Sequence, residues 1–463
     1  MRFSKRLRAA LAGNALPEEE TPLFTGGALK KLILPLIIEQ TLTITVGMAD
    51  TVMVSSLGDA AMSGVSLVDN INTLIINIFA AFATGGAVVA AQFLGAQKEK
   101  NARETAGQVI VSTLLISLAV MGVCLWQGEP IIRLLFGEIE PAVMESASVY
   151  FRISAYSYPF IGVYSCCAAL FRAMGNSKVS MYSGLLANVV NIGFNALFIY
   201  GMDMGPAGAA WGSFLSRFSS MLLLILLLTD RRNAVYISLR EKFVFNGRVL
   251  RKIFRIGLPN SLENGVFQLG RIMVLRIITL FGVVQIAANG VANNLSALGC
   301  IPGQAMNLAM ITVVGQCVGA GSRVQARHYT RRLMTVTYLF TVAVNTLILL
   351  SLPLTLRLYS LSDESLALAR VLIFIHNGFA MLWPAAFALP NALRAADDAR
   401  FTMIVSVSSM AAFRIGLSLV LAMQLNYGAI GVFAAMVVDW LFRSVVFFLR
   451  YRSGRWWPSR AVT

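Results

Sequence analysis

The residues in this sequence best suited to chemistry are polar groups stranded in apolar surroundings. The stretch VGMADTVMVSSLGDAAMSGVS, residues 46–66, holds Asp50 inside a run that is apolar from about residue 29. A carboxylate at the centre of a bilayer costs roughly 2.5–3.5 kcal/mol on insertion scales, and such groups mark ion pathways and binding sites. At about 100° per residue, Glu39, Thr43 and Asp50 fall within about 40° of one another on one helical face. A carboxylate facing a cavity can exchange a proton, and its oxygens can equally hold Na+. Asn188, Asn191 and Asn195 recur at i, i+3 and i+7. That amide stripe can face a cation or simply make interhelical hydrogen bonds. Asp50 has a plain reading too, as a cap or partner of a neighbouring polar group that only stabilises the bundle.

Other stranded groups are scattered through the second half. Arg271 and Arg276 lie in one apolar segment with Glu263, and eight residues separate Glu263 from Arg271, so those two share a face but not a contact. The arginines can recognise an anionic group on a substrate or pair with another buried acid. Arg414 and Asp439 are expected to form such a buried ion pair. Arg152, Arg217 and His376 are further polar groups in apolar runs, with His376 read as a packing residue. The 28 Phe, the 20 Met and the tyrosines Tyr150, Tyr156, Tyr158 and Tyr164 suit an adaptable apolar cavity wall that holds organic cations.

These groups need helices to position them, and the composition supplies helices. The chain has 463 residues, is 57% hydrophobic and 13% charged, and has a mean hydropathy of +0.71. Apolar runs of about 20 residues, each enough for about 30 Å of hydrocarbon, recur at 29–56, 61–92, 105–127, 143–169, 178–200, 207–229, 252–280, 285–317, 330–353, 364–392, 399–423 and 429–450. Their length suits helices rather than barrel strands. The net charge of +16 is not spread as a nucleic-acid face would be. Lys and Arg cluster in both tails and in alternate connections, while the opposite connections hold only Arg133 and Arg357. That alternation predicts twelve spans with both termini in the cytoplasm and no nucleic-acid partner.

Residues 1–28 lack an apolar core and a small-residue cleavage site, so no cleavable signal is expected. The five cysteines show no metal-ligand spacing and read as small core residues. No metal is expected beyond a Na+ at Asp50, and no cofactor. There is no GxSxG, HExxH or P-loop pattern and there are only two histidines, which argues against an enzyme and against ATP as the direct energy source.

The second half repeats the first. At an offset of 224, Leu34-Pro35 meets Leu258-Pro259, Glu39 meets Glu263, Gly58 meets Gly282, and Gln92-x-x-Gly95-Ala96 meets Gln316-x-x-Gly319-Ala320. Near 222–223 the match resumes, with Arg172 on Arg394 and Gly205-x-x-Gly208 on Gly428-x-x-Gly431. The predicted fold is an all-α polytopic membrane protein: twelve transmembrane helices in two six-helix lobes related by a pseudo-two-fold along the membrane normal. The expected divisions are a cytoplasmic tail at 1–28, an N-lobe at 29–229, a basic linker at 230–251, a C-lobe at 252–450 and a second tail at 451–463. Pro35, Pro159, Pro259, Pro302, Pro384, Pro390 and Gly85-Gly86 break the spans, either as hinges or as ordinary membrane-helix residues.

The stretches MADTVMVSSLGDAAMSGVS, FATGGAVVAAQFLGAQ, LFRAMGNSK and GPAGAAWGS, echoed by VVGQCVGAG, ALPNALRAADDAR and YGAIGVF, resemble the multidrug and toxic compound extrusion (MATE) family over about residues 28–452. The resemblance implies a cation-coupled antiporter in the cytoplasmic membrane, exporting small organic, often cationic compounds in exchange for H+ or Na+, with no obligate protein partner. It places Asp50 at the family's first-helix cation position. Asn191 and Asn195 carry over to its N-lobe site, and Ser213 less securely. The C-lobe departs from some members: Phe267 stands where they carry Glu, and residues 382–394 contain no acid. Neutral amides beside Asp50 leave one carboxylate there, so a single cation is the simplest load. Arg271 and Arg276 keep open a lipid-linked-oligosaccharide flippase, or an exporter of an anionic or zwitterionic metabolite.

Overall fold

The computed structural model describes residues 21–237, 245–359 and 361–458; most of the N-terminal tail, part of the basic linker and the chain's last residues lie outside them. Among the described residues nearly everything is helical and there is no strand. The first half runs α1 (Gly26–Ser55), α2 (Asp59–Gly95), α3 (Glu99–Trp126), the short α4 (Gly128–Phe136), α5 (Pro141–Tyr156), α6 (Tyr158–Ala173), α7 (Ser177–Ala196) and α8 (Gly205–Leu228). The second half runs α9 (Gly247–Thr279), α10 (Val283–Gly319), α11 (Arg323–Thr355), α12 (Asp363–Gly378), α13 (Leu389–Ala395), α14 (Ala399–Ser409) and α15 (Gly428–Ser453).

Ten helices, some with the short turns that extend them, are long and apolar enough to cross a membrane, and α5 with α6, bent by 48°, makes an eleventh span. Helix α9 completes the twelve by its length of 33 residues. Its arginines and Glu263 dilute its apolar character.

The duplication is visible in the element bounds. Helices α2 and α10 are both 37 residues long, and both ends are displaced by 224 residues. Each starts at a glycine in the left-handed region, Gly58 at φ +93° and Gly282 at φ +88°, a conformation a Cβ penalises.

Two compact units form, Lys30–Gly265 and Met1–Leu29 with Val266–Thr463. The division falls inside α9, whereas the charge pattern marks its linker earlier, at 230–251. The first turns of α9 are tied to α2: Asn260 donates to the Ala81 carbonyl at 2.8 Å and Ser261 to that of Ile78 at 3.0 Å. Backbones touch here as well, since a Cβ on Gly85 would stand 2.5 Å from Gly257. The first unit's core gathers Val68, Ile71, Phe79, Ile132, Phe151 and Tyr158. That of the second gathers Ile278, Ala292, Leu352, Leu372, Ile373 and Trp440.

Proline breaks are answered locally. Pro35 has no amide hydrogen for the Lys31 carbonyl, and the Ser177 hydroxyl donates to the carbonyls of Lys31 and Leu32. The bend before Pro159 is held by Ser157, which donates to the Ser154 carbonyl and accepts from Arg217 of α8 at 2.6 Å.

Candidate functional site

Four polar residues named from the sequence come together in the first unit. Asn195 of α7 donates through Nδ2 to Asp50 Oδ1 of α1 at 2.9 Å. The same nitrogen lies 3.4 Å from Asn191 Oδ1, and Asn191 Nδ2 donates to the Ser213 hydroxyl of α8 at 3.2 Å. Asn191 and Asn195, four residues apart, are neighbours on one helical face. Gly212 permits the approach of α8, because a Cβ there would collide with the Asn195 side chain and stand 2.9 Å from its backbone nitrogen. Asp50, Thr51, Ser66, Asn195 and Ser213 line a cleft of about 30 Å³. That is room for one or two water-sized occupants among oxygen ligands.

The cleft holds a second carboxylate, which corrects the expectation of one. Asp69 of α2 also lines it. Asp69 Oδ1 accepts from the Tyr150 hydroxyl at 3.0 Å and from Asn72 Nδ2 at 3.3 Å, while Tyr158 donates to Asn72 Oδ1 at 3.0 Å. Among the described residues neither Asp50 nor Asp69 has a basic side chain within 4.0 Å. Arg217 acts on both through space. Asp69 is the sole charge in the span at 61–92, which was the sequence signal for it. The repeat localises the acid pair: 224 residues on stand Val274 and Asn293, so the second half carries neither carboxylate.

The remaining candidates lie elsewhere. Thr43 donates to the backbone carbonyl of Glu39 at 2.9 Å, and Asn188 to that of Leu42 at 3.3 Å, so neither joins the Asp50 network. Glu39 is a structural anchor. Its Oε1 pairs with Arg172 at 3.1 Å and its Oε2 accepts from Ser180 at 2.7 Å. Glu39→Gln is expected to lower stability by about 1–3 kcal/mol, the scale of hydrogen bonds to a charged group. Thermal unfolding in detergent checks this.

Glu263 is buried in α9, and Tyr156 is exposed at the end of α5. Arg271 and Arg276 are both exposed. Arg271 Nη1 approaches Gln268 Oε1 at 3.4 Å, and among the described residues neither arginine pairs with an acid. Their expected pairing with another buried acid is therefore absent. The Arg414–Asp439 pair is also corrected. Asp439 pairs with Arg443 at 2.9 Å, four residues on in the same helix, and accepts from Ser409. No carboxylate of the described residues lies within 4.0 Å of Arg414. His376 packs edge-on to Trp440 with Nδ1 2.9 Å from Asn377 Oδ1. Among the described residues no three His, Cys, Asp or Glu side chains cluster as a metal site.

The MatE family model matches twice, over residues 35–197 and 257–420, once in each half. The chain belongs to the MatE family. This MatE chain is 26% identical over 461 residues to the probable multidrug resistance protein NorM of Thermotoga maritima, covering 98% of each chain. It is also 26% identical over 438 residues to the uncharacterized transporter YisQ of Bacillus subtilis, covering 93% of this chain and 94% of that one. Its fold is that of an outward-facing multidrug resistance MATE transporter of the MOP superfamily, at TM-score 0.86 and 22% identity over 93% of this chain and 96% of the other. As a member of the family it is a multi-pass membrane transporter.

Proposed function

We propose that this MatE chain is a secondary antiporter that exports amphipathic organic compounds across the cytoplasmic membrane in exchange for H+ or Na+, with the Asp50–Asp69 cleft as the coupling site. The observation that carries the reading is Asp50 itself, a carboxylate in a membrane-spanning helix with an amide donor at 2.9 Å and no basic side chain within 4.0 Å among the described residues. A carboxylate left in that position without an ion-pair partner is a place for a cation to arrive. Ionised, Asp50 accepts a charge-assisted bond that ties α1 to α7. Occupied by a proton or Na+, it loses most of that pull. Helix α1 is free to respond, because little of its apolar stretch is buried inside the protein.

In the proposed cycle the cation enters from outside, releases α1 from α7 and leads to substrate discharge. Return loads new substrate from the cytoplasm and delivers the cation there by alternating access. The reading needs no cofactor and no obligate protein partner. Its partners are the bilayer and a small organic substrate, and both termini lie on the cytoplasmic side.

The test is reconstitution into liposomes with rhodamine 6G as a cationic reporter. Imposed H+ and Na+ gradients, applied separately, are expected to accelerate dye movement, one strongly and the other little. Dye movement indifferent to both gradients would overturn antiport.

A further inference from the structure

The second unit carries charge of the opposite sign. Its buried acid, Asp439, is held by Arg443 at 2.9 Å, and their side chains are 0% and 2% exposed. Arg443 Nη2 also donates to the Ser406 carbonyl at 3.1 Å, and its guanidinium lies 5.7 and 5.5 Å from the Phe267 and Phe387 ring centres. Two further guanidiniums, Arg414 and Arg271, lie outside that pair. Arg414 Nε and Nη1 are sealed inside the protein, and no described residue accepts from either. Arg271 meets only the Gln268 amide, at 3.4 Å. The segments that carry them are packed together, since a Cβ on Gly270 would collide with the Met410 side chain. A buried donor without an acceptor is costly, and more so when charged, so the placement of Arg414 needs a reason.

The backbone gives a second, independent sign. Between Arg172 and Gly205 the repeat offset grows from 222 to 223, so the second half has gained one residue there. A π-helical segment at Leu197–Gly201 recurs at Val420–Gln424, displaced by 223 at both ends. A further π segment, Met410–Leu417, has no counterpart in the first half among the described residues. A π turn is what a one-residue insertion makes of an α-helix, and such turns are frequent at functional sites. Arg414 sits within this one.

We propose that Arg414 and Arg271 form an oxyanion site in the second unit that takes the carboxylate or phosphate group of an exported molecule. The assignment rests on reading the chain as an exporter. Guanidinium forks match both groups with paired, charge-assisted hydrogen bonds. Two nearby groups are already engaged: Asp439 pairs through Oδ1 with Arg443, its Oδ2 having no hydrogen-bond partner among the described residues, and His376 is bonded to Asn377. A substrate with an anionic group and a cationic or apolar remainder meets complementary charge here.

The test uses the full chain in phosphatidylcholine nanodiscs and two dyes with one xanthene frame and opposite charge, fluorescein and rhodamine 6G, read by fluorescence anisotropy. Fluorescein is expected to bind saturably, and about tenfold or more weakly to Arg414→Gln and Arg271→Gln, the loss of at least one charged hydrogen bond. Rhodamine 6G binding should stay as in wild type, and Arg414→Lys should fall between. Without ligand, Arg414→Gln is expected to melt at or above the wild-type temperature, because it removes a buried guanidinium whose Nε and Nη1 have no acceptor among the described residues; an arginine acting as a structural partner would melt lower. Equal fluorescein affinity in wild type and Arg414→Gln, or no saturable binding to wild type, overturns the site. Displacement of fluorescein by added phosphatidylglycerol would name a lipid headgroup as the source of the oxyanion, and its absence a soluble substrate. Anion binding without gradient-driven export would sink the exporter reading and leave the site standing, and export without anion binding would do the reverse.

Discussion

Asp50→Asn is expected to remove the response of export to the coupling ion while leaving the protein folded. Asparagine matches aspartate in shape and still offers a carbonyl oxygen to Asn195 Nδ2, now 2.9 Å from Asp50 Oδ1. What it cannot do is bind a proton or neutralise Na+. Coupling between two bound species is typically about 5–150-fold in affinity, so the gradient-driven acceleration should fall by about that factor, toward the rate without a gradient. Reconstituted dye efflux under the effective gradient reads this directly. Asp50→Glu keeps the charge and is expected to retain a reduced response. A wild-type response in Asp50→Asn would move the coupling step to the second carboxylate, Asp69, which keeps its bonds to Tyr150 and Asn72 when Asp50 is neutral. Thermal unfolding of the variant near the wild-type temperature separates loss of coupling from loss of fold.

How far the site was legible follows from which distances helix geometry fixes. Asn191 and Asn195 had to share a face, and the motif placed that face opposite Asp50, so their meeting was readable. Asn188 shares the stripe but lies seven residues from Asn195, about 10 Å along the axis at 1.5 Å per residue. It therefore meets α1 two turns earlier, at the Leu42 carbonyl. Thr43 fails for the same reason and bonds its own helix. Asp69 was visible as a charge in an apolar span, but its placement depends on the packing of α2 and α5 against α1, which no periodicity reports. The ion pair of Asp439 turned on a choice between Arg414, in another helix, and Arg443, at i+4 in its own. The local partner needs no tertiary alignment. Span counting was secure where apolar runs were pure and weakest at α9, whose charges left its length as the remaining sign. The π segment around Arg414 left one trace in the sequence, a repeat offset that changes by a single residue.

Arg443→Met is expected to cost about 3–5 kcal/mol of stability, the penalty for removing one partner of a buried ion pair. Asp439 is fully buried and its Oδ2 already lacks a partner among the described residues, so without Arg443 the Ser409 hydroxyl would be its main support. Two aromatic faces, Phe267 and Phe387, would lose the guanidinium beside them as well. Thermal or denaturant unfolding in detergent measures the loss. Asp439→Leu combined with Arg443→Met should recover most of it, because a matched apolar pair avoids desolvating either charge. A double variant no more stable than Arg443→Met would show that the cost comes from shape rather than charge. Arg414→Gln, one helix away and near the same carboxylate, should change stability in the opposite direction. The two arginines differ in which of them Asp439 has taken: Arg443 is a structural partner whose loss strands an anion, whereas Arg414 Nε and Nη1 donate to no described residue.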